Sequence, residues 1–239
     1  MPVVTIARPI ATNAEAIAAA VASRLGLAVY DDRLIAMAAN RGHVPPDEMA
    51  ALDERGRGIF QRPTDLWRLV PMPPINPDHP DILGDNYAPT GPVRARGDGL
   101  EAPRFWAIEA YAALMARTIA ELVASEDAVV VGRAGHVVAG NGPSVLRVLC
   151  VAPEAIRAGR IAKAQAVSEY EAHTRVRESD RDRAAYHRQF YDATWLDPSA
   201  YDLVINTGSM EVAQAVETIA SAASRLVGRP SAFVPVAHH

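Results

Sequence analysis

Short apolar runs alternate along this chain with segments whose apolar residues recur every three or four positions. Residues 3–6 form the first run, and residues 14–25 place their larger apolar side chains four apart, on one face of a helix. Gly26 can end that helix in a left-handed conformation, before a second short run at 27–30. The opening of the chain therefore predicts a strand, a helix and a second strand.

The same alternation continues beyond the second run. Further helices are predicted at about 33–40, 45–57, 103–125, 153–163, 168–191 and 210–227, and further strands at 128–131, 145–151 and 201–206. Strands that alternate with helices build a parallel sheet with helices on both faces and a ligand crevice at the carboxyl ends of the strands. The predicted fold class is therefore α/β, with three layers around a central parallel sheet.

A proline-rich segment interrupts this alternation. Eight prolines fall between Pro63 and Pro92 without sustained apolar periodicity, which is typical of an insert or a long loop. We therefore predict one domain over residues 1–228, with an insert at 63–100, a lid-like helical region at 154–197 and a flexible tail at 229–239. Trp67 in the insert could anchor it to the domain or take part in a homodimer contact.

Composition narrows the class of protein. Of the 239 residues, 49% are hydrophobic and 22% are charged, as in soluble globular proteins. A net charge of −4 disfavours a general attraction to nucleic acid, and no long uncharged apolar stretch indicates a membrane span or a secretion signal. The single cysteine, Cys150, lies in an apolar run and suits burial in a reducing compartment. We therefore expect a cytoplasmic protein that binds neither nucleic acid nor membrane.

The turn after the first strand could receive an anion. Residues 7–14 occupy the place where a P-loop would wrap phosphate oxygens with backbone amides at the start of a helix. The turn has neither glycine nor lysine, so the positive φ angles that glycine permits are not assured. Because Lys163 is the only lysine, phosphate recognition must rest on arginine, backbone amides or a metal. Taken alone, the turn is also typical of an ordinary capped connection.

Several short segments follow one another in a characteristic order. They are Thr5-Ile6-Ala7-Arg8, Val29-Tyr30-Asp31-Asp32-Arg33-Leu34-Ile35, Val130-Val131-Gly132-Arg133-Ala134, Arg147-Val148, Ala152-Pro153 and Tyr201-Asp202-Leu203-Val204-Ile205-Asn206-Thr207. In this order they resemble the cytidylate kinase-like family over most of the chain, the insert and the tail excepted. The resemblance implies a P-loop nucleoside monophosphate kinase fold with an arginine-bearing helical lid, a small-molecule nucleotide as partner, and ATP and Mg²⁺ as cofactors.

The resemblance also implies candidate residues in the first turn. Arg8 keeps an arginine of the family pattern, and Thr12 stands for a hydroxyl that binds phosphate or Mg²⁺, which makes Thr12 the candidate metal ligand. Asn13 stands where the family has glycine, and Glu15 stands at a usually basic position. The loop that would be a Walker A motif is therefore degenerate.

Polar residues at three other strand ends form a second group of candidates. Gly132-Arg133 resembles a glycine-arginine pair of the family, and the guanidinium of Arg133 could hold a nucleotide phosphate or pair with a core carboxylate. Asp31 could bind a base, a ribose hydroxyl or metal-bound water, or it could cap the next helix. Asn206 could contact a nucleotide base or make a turn.

Arginines on the predicted lid form a third group. Arg157 and Arg160 lie three apart and resemble the start of the lid, and Arg183 lies on the following helix. Cations there could close over transferring phosphates, because phosphoryl transfer needs positioning and neutralisation of developing charge. Taken one at a time, most of these side chains are typical of a solvated, charged helix.

Two functional hypotheses follow. In the first, the protein is an enzyme that moves the γ-phosphoryl group of a nucleoside triphosphate to a small acceptor such as cytidylate. Its catalytic residues would be Arg133, Arg157, Arg160 and Arg183, and its cofactor-binding residues would be Arg8, Thr12, Asn13, Asp31 and Asn206. In the second, a catalytically inactive kinase fold binds a nucleotide or another anion, or scaffolds a partner. The absence of loop glycine and lysine favours weak or lost activity.

Overall fold

Strands and helices alternate throughout the part of the chain that the structure describes. This computed structural model describes residues 2–43 and 102–226, with Pro45 and Ala50, and for 102–110 the backbone alone. The strands are β1 (Val3–Ala7), β2 (Ala28–Tyr30), β3 (Ala128–Val131), β4 (Val145–Val151) and β5 (Leu203–Asn206). The helices are α1 (Ala14–Leu25), α2 (Asp32–Gly42), α3 (Ala102–Ser125), α4 (Gly135–Val138), α5 (Glu154–Gln165), α6 (Glu169–Tyr191) and α7 (Val212–Ala223), with a 3-10 turn at Pro198–Ala200.

The five strands form one parallel sheet in the order β2-β3-β1-β4-β5. β1 is the central strand, and its Val4 lies beside Val129 of β3 and Leu146 of β4. β2 pairs with β3 at one edge of the sheet, and β5 pairs with β4 at the other. Since all strands run the same way, their carboxyl ends meet along one side, and the loop after β1 lies in the middle of it.

Two apolar layers cover the sheet. On one face, Tyr111, Met115 and Ile119 of α3 are buried together with alternate residues of the strands. On the other face, Ile17 of α1 and Ile219 of α7 are buried against the remaining strand residues. Full burial of each such large side chain stabilises the fold by about 1.5–3 kcal/mol. The predicted α/β architecture with three layers is therefore confirmed.

The short helix α4 was not expected from the sequence, because four residues are too few to show helical periodicity. It depends on Gly135, whose backbone lies close to β3. A Cβ atom at this position would come within 2.9 Å of Val130 Cγ1. The glycine therefore allows the chain to turn directly from β3 into α4.

The last strand and the last helix are shorter than predicted. β5 begins at Leu203 rather than at residue 201, because the Asp202 carboxylate accepts the backbone N–H of Arg147 at 2.8 Å in place of a strand carbonyl. α7 ends at Ala223 rather than near residue 227. The insert at 63–100, the tail at 229–239 and the predicted helix at 45–57, apart from Pro45 and Ala50, lie outside the described residues.

Candidate functional site

The loop between β1 and α1 adopts left-handed backbone angles without any glycine. The φ angle is +61° at Ala11 and +59° at Asn13. Asparagine tolerates this region, but alanine pays ~1–2 kcal/mol there because its Cβ crowds the following carbonyl oxygen. Strained angles of this kind persist where surrounding contacts hold them, and they concentrate at functional sites. The positive φ angles that the absence of glycine left in question are therefore present.

We call the backbone amides of residues 10–13 open because they have no acceptor among the described residues, not because they face solvent, since Thr12 is fully buried. The N–H groups of residues 10–13 donate no hydrogen bond to any residue that the structure describes. The first N–H groups of α1 also lack helical acceptors, and the helix dipole gives this end a partial positive charge. Ile10 packs its side chain against an apolar cluster of α5 and α6, and Asn13 is exposed. The loop therefore presents a set of donors suited to an anion.

Thr12 and Arg8 are the buried polar side chains of the loop. Thr12 is fully buried, and its hydroxyl donates to the carbonyl oxygen of Pro9 at 3.0 Å. Arg8 is 2% exposed, and its Nε donates to Glu15 Oε1 at 2.9 Å. Glu15 lies in the first turn of α1. The loop thus has a buried guanidinium at its base and a carboxylate beside its open end.

Arg133 and Asp31 meet at the ends of β3 and β2. Arg133 is 1% exposed, and its Nη1 donates to the carboxylate of Asp31 at 2.7 Å and to its carbonyl oxygen at 2.9 Å. Nη2 lies 3.3 Å from the exposed carboxylate of Asp32. Asp31 precedes α2 but makes no side-chain cap hydrogen bond. Of the alternatives for Arg133, the structure shows the pairing with a carboxylate, and that carboxylate belongs to Asp31.

The backbone around Arg133 is also left-handed. The φ angles of Gly132, Arg133 and Ala134 are +72°, +52° and +54°. Three consecutive residues in this region turn the chain from β3 into α4. The turn places the guanidinium of Arg133 beside Asp31, one strand away from the loop that follows β1.

Arg157 and Arg183 lie within the hairpin formed by α5 and α6. Arg157 donates from Nη1 and Nη2 to both carboxylate oxygens of Asp180, at 2.9 and 2.7 Å, and from Nε to the carbonyl oxygen of Ala152 at 3.0 Å. Arg183 is buried and bonds to Ser179, one turn earlier on α6. The structure therefore places Arg157 in contacts with α6 and with the end of β4, and it places Arg183 on α6 in contact with Ser179.

Arg160 reaches the loop itself. Its Nη1 donates to the carbonyl oxygen of Ala11 at 3.0 Å, and its Nη2 donates to the carbonyl oxygen of Thr207 at 2.6 Å. Asn206 lies beside this contact, where its side chain accepts the N–H of Gly208 at 2.9 Å, as in a turn. The structure therefore brings Arg160 and the end of β5 together with the first loop, which lies 149 positions earlier in the sequence.

A buried cluster of histidine and aromatic rings was not predicted. His136 stacks on Tyr201 with ring centroids 4.5 Å apart, and it lies 5.4 Å from His187. The Tyr201 hydroxyl donates to the carbonyl oxygen of Trp195 at 2.6 Å and lies 3.1 Å from His136 Nε2. Burial, followed by the neighbouring charges of His187 and Arg147, lowers the pKa of His136 to about 3.

Comparison with known proteins agrees with this geometry. Residues 3–209 match the cytidylate kinase-like family. The chain belongs to this family. Membership supports a kinase-like protein that binds nucleotides, and such kinases in general use ATP and Mg²⁺.

A solved structure with a TM-score above 0.5 shows the same fold. The crystal structure of an uncharacterized protein from Eubacterium ventriosum ATCC 27560 aligns with 94% of this chain and 99% of its own, at 14% identity and a TM-score of 0.60. The crystal structure of TT1252 from Thermus thermophilus covers 95% of this chain and 98% of its own, at 16% identity and a TM-score of 0.43. No curated protein matches the sequence significantly. Within the described residues, no helix combines the length and apolarity that crossing a membrane requires.

The described residues of the site are suited to the phosphates of ATP rather than to Mg²⁺. The open amides after β1 suit the phosphate chain of ATP, as the family leads one to expect. The described residues contain no group of three or more histidine, cysteine or acidic side chains that could hold a metal ion. The hydroxyl of Thr12 already donates within the loop, although its oxygen can still accept or coordinate. Within the described residues, the loop after β1 therefore offers donors suited to phosphate, and no cluster of side chains suited to a metal ion accompanies it.

Proposed function

We propose that this protein binds the phosphate chain of a nucleotide in the loop between β1 and α1, through backbone N–H groups rather than through a lysine. The observation that carries the proposal is the left-handed conformation of Ala11 and Asn13, combined with the open amides of residues 10–13. The fold maintains a strained loop whose donors no described residue uses. An anion at the N-terminus of α1 would satisfy these donors.

Charge around the loop sets the expected strength of binding. The helix dipole and the buried guanidinium of Arg8 attract an anion, whereas the carboxylate of Glu15 repels it. Glu15 is half exposed, with 53% of its side chain accessible, so water screens part of this repulsion. We therefore expect nucleotide binding that is weaker than in a lysine-bearing loop and sensitive to single charges at the loop mouth.

Isothermal titration calorimetry with ATP, with and without Mg²⁺, tests the proposal. Asn13→Asp adds a carboxylate at the exposed end of the loop and should weaken ATP binding at least tenfold, because like charges then face each other at close range. Glu15→Gln removes the opposing carboxylate and should strengthen binding about threefold to tenfold.

Asn40→Asp is the matched control, because it makes the same chemical change at an exposed position near the end of α2. It should leave ATP binding within about twofold of the unmodified protein. Equal effects of Asn13→Asp and Asn40→Asp, or no heat of binding at any nucleotide concentration, would contradict a phosphate site in this loop.

The second candidate function is phosphoryl transfer to a small acceptor such as cytidylate. It is supported by the Arg133 and Asp31 pair, which lies at the carboxyl ends of β3 and β2, beside the loop. Neighbouring strands lie about 4.8 Å apart, so an acceptor held by this pair would be within about 10 Å of the bound phosphates. The guanidinium could hold the acceptor phosphate, and the carboxylate a sugar hydroxyl.

An assay of ADP release with cytidylate and other monophosphates tests this second function. Asp31→Asn keeps the shape of the side chain but removes its charge, so it should lower the rate at least tenfold while ATP binding persists. If the protein binds ATP but releases no ADP with any acceptor, the result would instead support a catalytically inactive kinase fold that binds a nucleotide.

A further inference from the structure

Arg160 connects three segments that are distant in the sequence. It lies on α5, and its guanidinium joins the carbonyl oxygen of Ala11 in the first loop to the carbonyl oxygen of Thr207 after β5. Nη1 also lies 3.4 Å from the hydroxyl of Thr207. The guanidinium therefore acts as a fixed link between the lid hairpin, the first loop and the end of β5.

Hydrogen bonds hold both Thr207 and α5, the two elements between which the Arg160 guanidinium lies. Thr207 bonds to the carbonyl oxygen of Val151 in β4 through its backbone N–H at 2.8 Å and through its hydroxyl at 3.2 Å. On α5, the neighbouring Arg157 ties the helix to Ala152 and to Asp180 of α6. The guanidinium of Arg160 is therefore presented to Ala11 from a rigid position.

The contact fixes the direction of one loop amide. A trans peptide is planar, so its carbonyl and its N–H point in opposite directions. The carbonyl of Ala11 points at Arg160, and the N–H of Thr12, which belongs to the same peptide, therefore points away from α5. Relaxation of Ala11 to negative φ would turn the peptide planes beside it and would move this N–H.

We propose that Arg160 is a positioning residue that holds the glycine-free loop in its phosphate-binding conformation. Its charged hydrogen bond to the carbonyl of Ala11 offsets the strain of an alanine at positive φ. In a loop with glycine at this position, the strain would be absent and no such support would be needed. This inference rests on the proposed phosphate site, and it differs from the sequence-based hypothesis that Arg160 touches the transferring phosphates.

A rescue experiment separates the two roles of Arg160. Arg160→Met keeps the aliphatic stem and removes all donors, so it should weaken ATP binding about tenfold or more in calorimetry. Adding Ala11→Gly to this variant should restore most of the lost affinity, because glycine adopts positive φ without strain. A guanidinium that bound phosphate directly could not be replaced by a glycine in the loop, so loss without rescue would overturn the proposal.

Arg117→Met is the control for loss of positive charge. Arg117 is exposed on α3 and pairs with Glu121 on the same helix. This variant should change ATP affinity by less than about twofold. A loss equal to that of Arg160→Met would show that net charge, rather than the contact with Ala11, controls binding.

A second measurement does not depend on nucleotide. The amide signal of Thr12 in ¹H–¹⁵N spectra of the nucleotide-free protein should shift in Arg160→Met and return towards its original position when Ala11→Gly is added. The same pattern in a protein that binds no nucleotide would retain the positioning role and reject the phosphate site. Binding that persists with an unshifted Thr12 amide in Arg160→Met would reject the positioning role alone.

If Arg160→Met proves too unstable to purify, Arg160→Lys provides the same comparison. A single ammonium group cannot replace the planar fork that reaches both carbonyl oxygens. The lysine variant should therefore show a smaller loss of affinity and the same rescue by Ala11→Gly. Failure of the rescue in this background would also overturn the proposal.

Discussion

His136 is a histidine that the fold keeps neutral. It is 4% exposed, and its ring stacks on the rings of Tyr201 and His187. Because Tyr201 donates its own hydroxyl hydrogen to Trp195, the neutral imidazole can donate its Nε2 hydrogen to the tyrosine oxygen. Burial and the positive neighbours His187 and Arg147 oppose a second proton on the ring and lower its pKa to about 3.

This lowered pKa predicts loss of stability in mild acid. In the unfolded chain His136 takes up a proton as the pH falls below its ordinary value of about 6.5, whereas in the folded protein it stays neutral down to about pH 3. The unfolded state therefore binds more protons between these values. The free energy of unfolding should fall by up to ~1.4 kcal/mol for each pH unit within this window, and the contribution of His136 to pH dependence should fade above about pH 7.5.

Urea unfolding at pH 7, 6, 5 and 4 measures this contribution. His136→Gln retains a donor for Tyr201 but does not titrate, so its stability should fall less steeply with acid than that of the unmodified protein. Parallel pH profiles for the two proteins would show that His136 is not the group responsible.

Ion pairs and one apolar cluster hold the hairpin of α5 and α6 together, and the pair of Arg157 with Asp180 is the most buried of these ion pairs. Arg157 is 7% exposed and Asp180 is 27% exposed, and their bidentate contact joins the two helices. The cluster beneath them consists of Ala158, Ile161, Ala172 and Val176. Ile10 and Ala11 of the first loop pack against it, so the hairpin and the phosphate site share an apolar contact.

We expect the ion pair to be worth more to the hairpin than an exposed pair would be. Asp180→Ala leaves the buried guanidinium of Arg157 with one carbonyl acceptor, and it should lower the free energy of unfolding by about 2–3 kcal/mol, a little less than for a fully buried pair. Arg157→Met together with Asp180→Ala should cost less than the sum of the single changes, because no charge is then left unpaired. Additive losses in chemical denaturation would contradict this coupling.

The sequence predicted much of the architecture, for reasons that particular residues show. The run Ala128–Val131 is fully apolar because β3 is covered on both faces, and the pattern there needed no knowledge of distant segments. The contact between Arg160 and Ala11 could not be predicted, because it joins positions that only the sheet order brings together. The left-handed angle of Ala11 could not be predicted either, because alanine carries no signal for that conformation.

Gly208, in the loop after β5, packs closely against the start of α5. A Cβ atom at Gly208 would lie 2.6 Å from Pro153 Cδ and 3.1 Å from Ile156 Cδ1, at the start of α5. Gly208→Ala should therefore lower the free energy of unfolding by about 1–3 kcal/mol. It should also weaken ATP binding, because Thr207 directly precedes it and accepts a hydrogen bond from Arg160.

Gly159→Ala, on α5 itself, is expected to have the opposite effect. A Cβ atom there meets no described atom within 4 Å, and alanine is the better helix former. This variant should raise the free energy of unfolding by about 0.5–1 kcal/mol in urea titrations. Stabilisation by Gly208→Ala, or equal effects of the two changes, would show that the β5–α7 loop is not closely packed on α5.

The central place of β1 in the sheet has a consequence for biosynthesis. Val3–Ala7 is synthesised before both of its neighbours in the sheet, β3 and β4, which end at Val131 and Val151. At typical elongation rates of about 5–20 residues per second, this apolar segment waits on the order of ten seconds for its partners. The nascent chain therefore has to shield β1, or have it shielded by a chaperone, until the segment up to Val151 has been made.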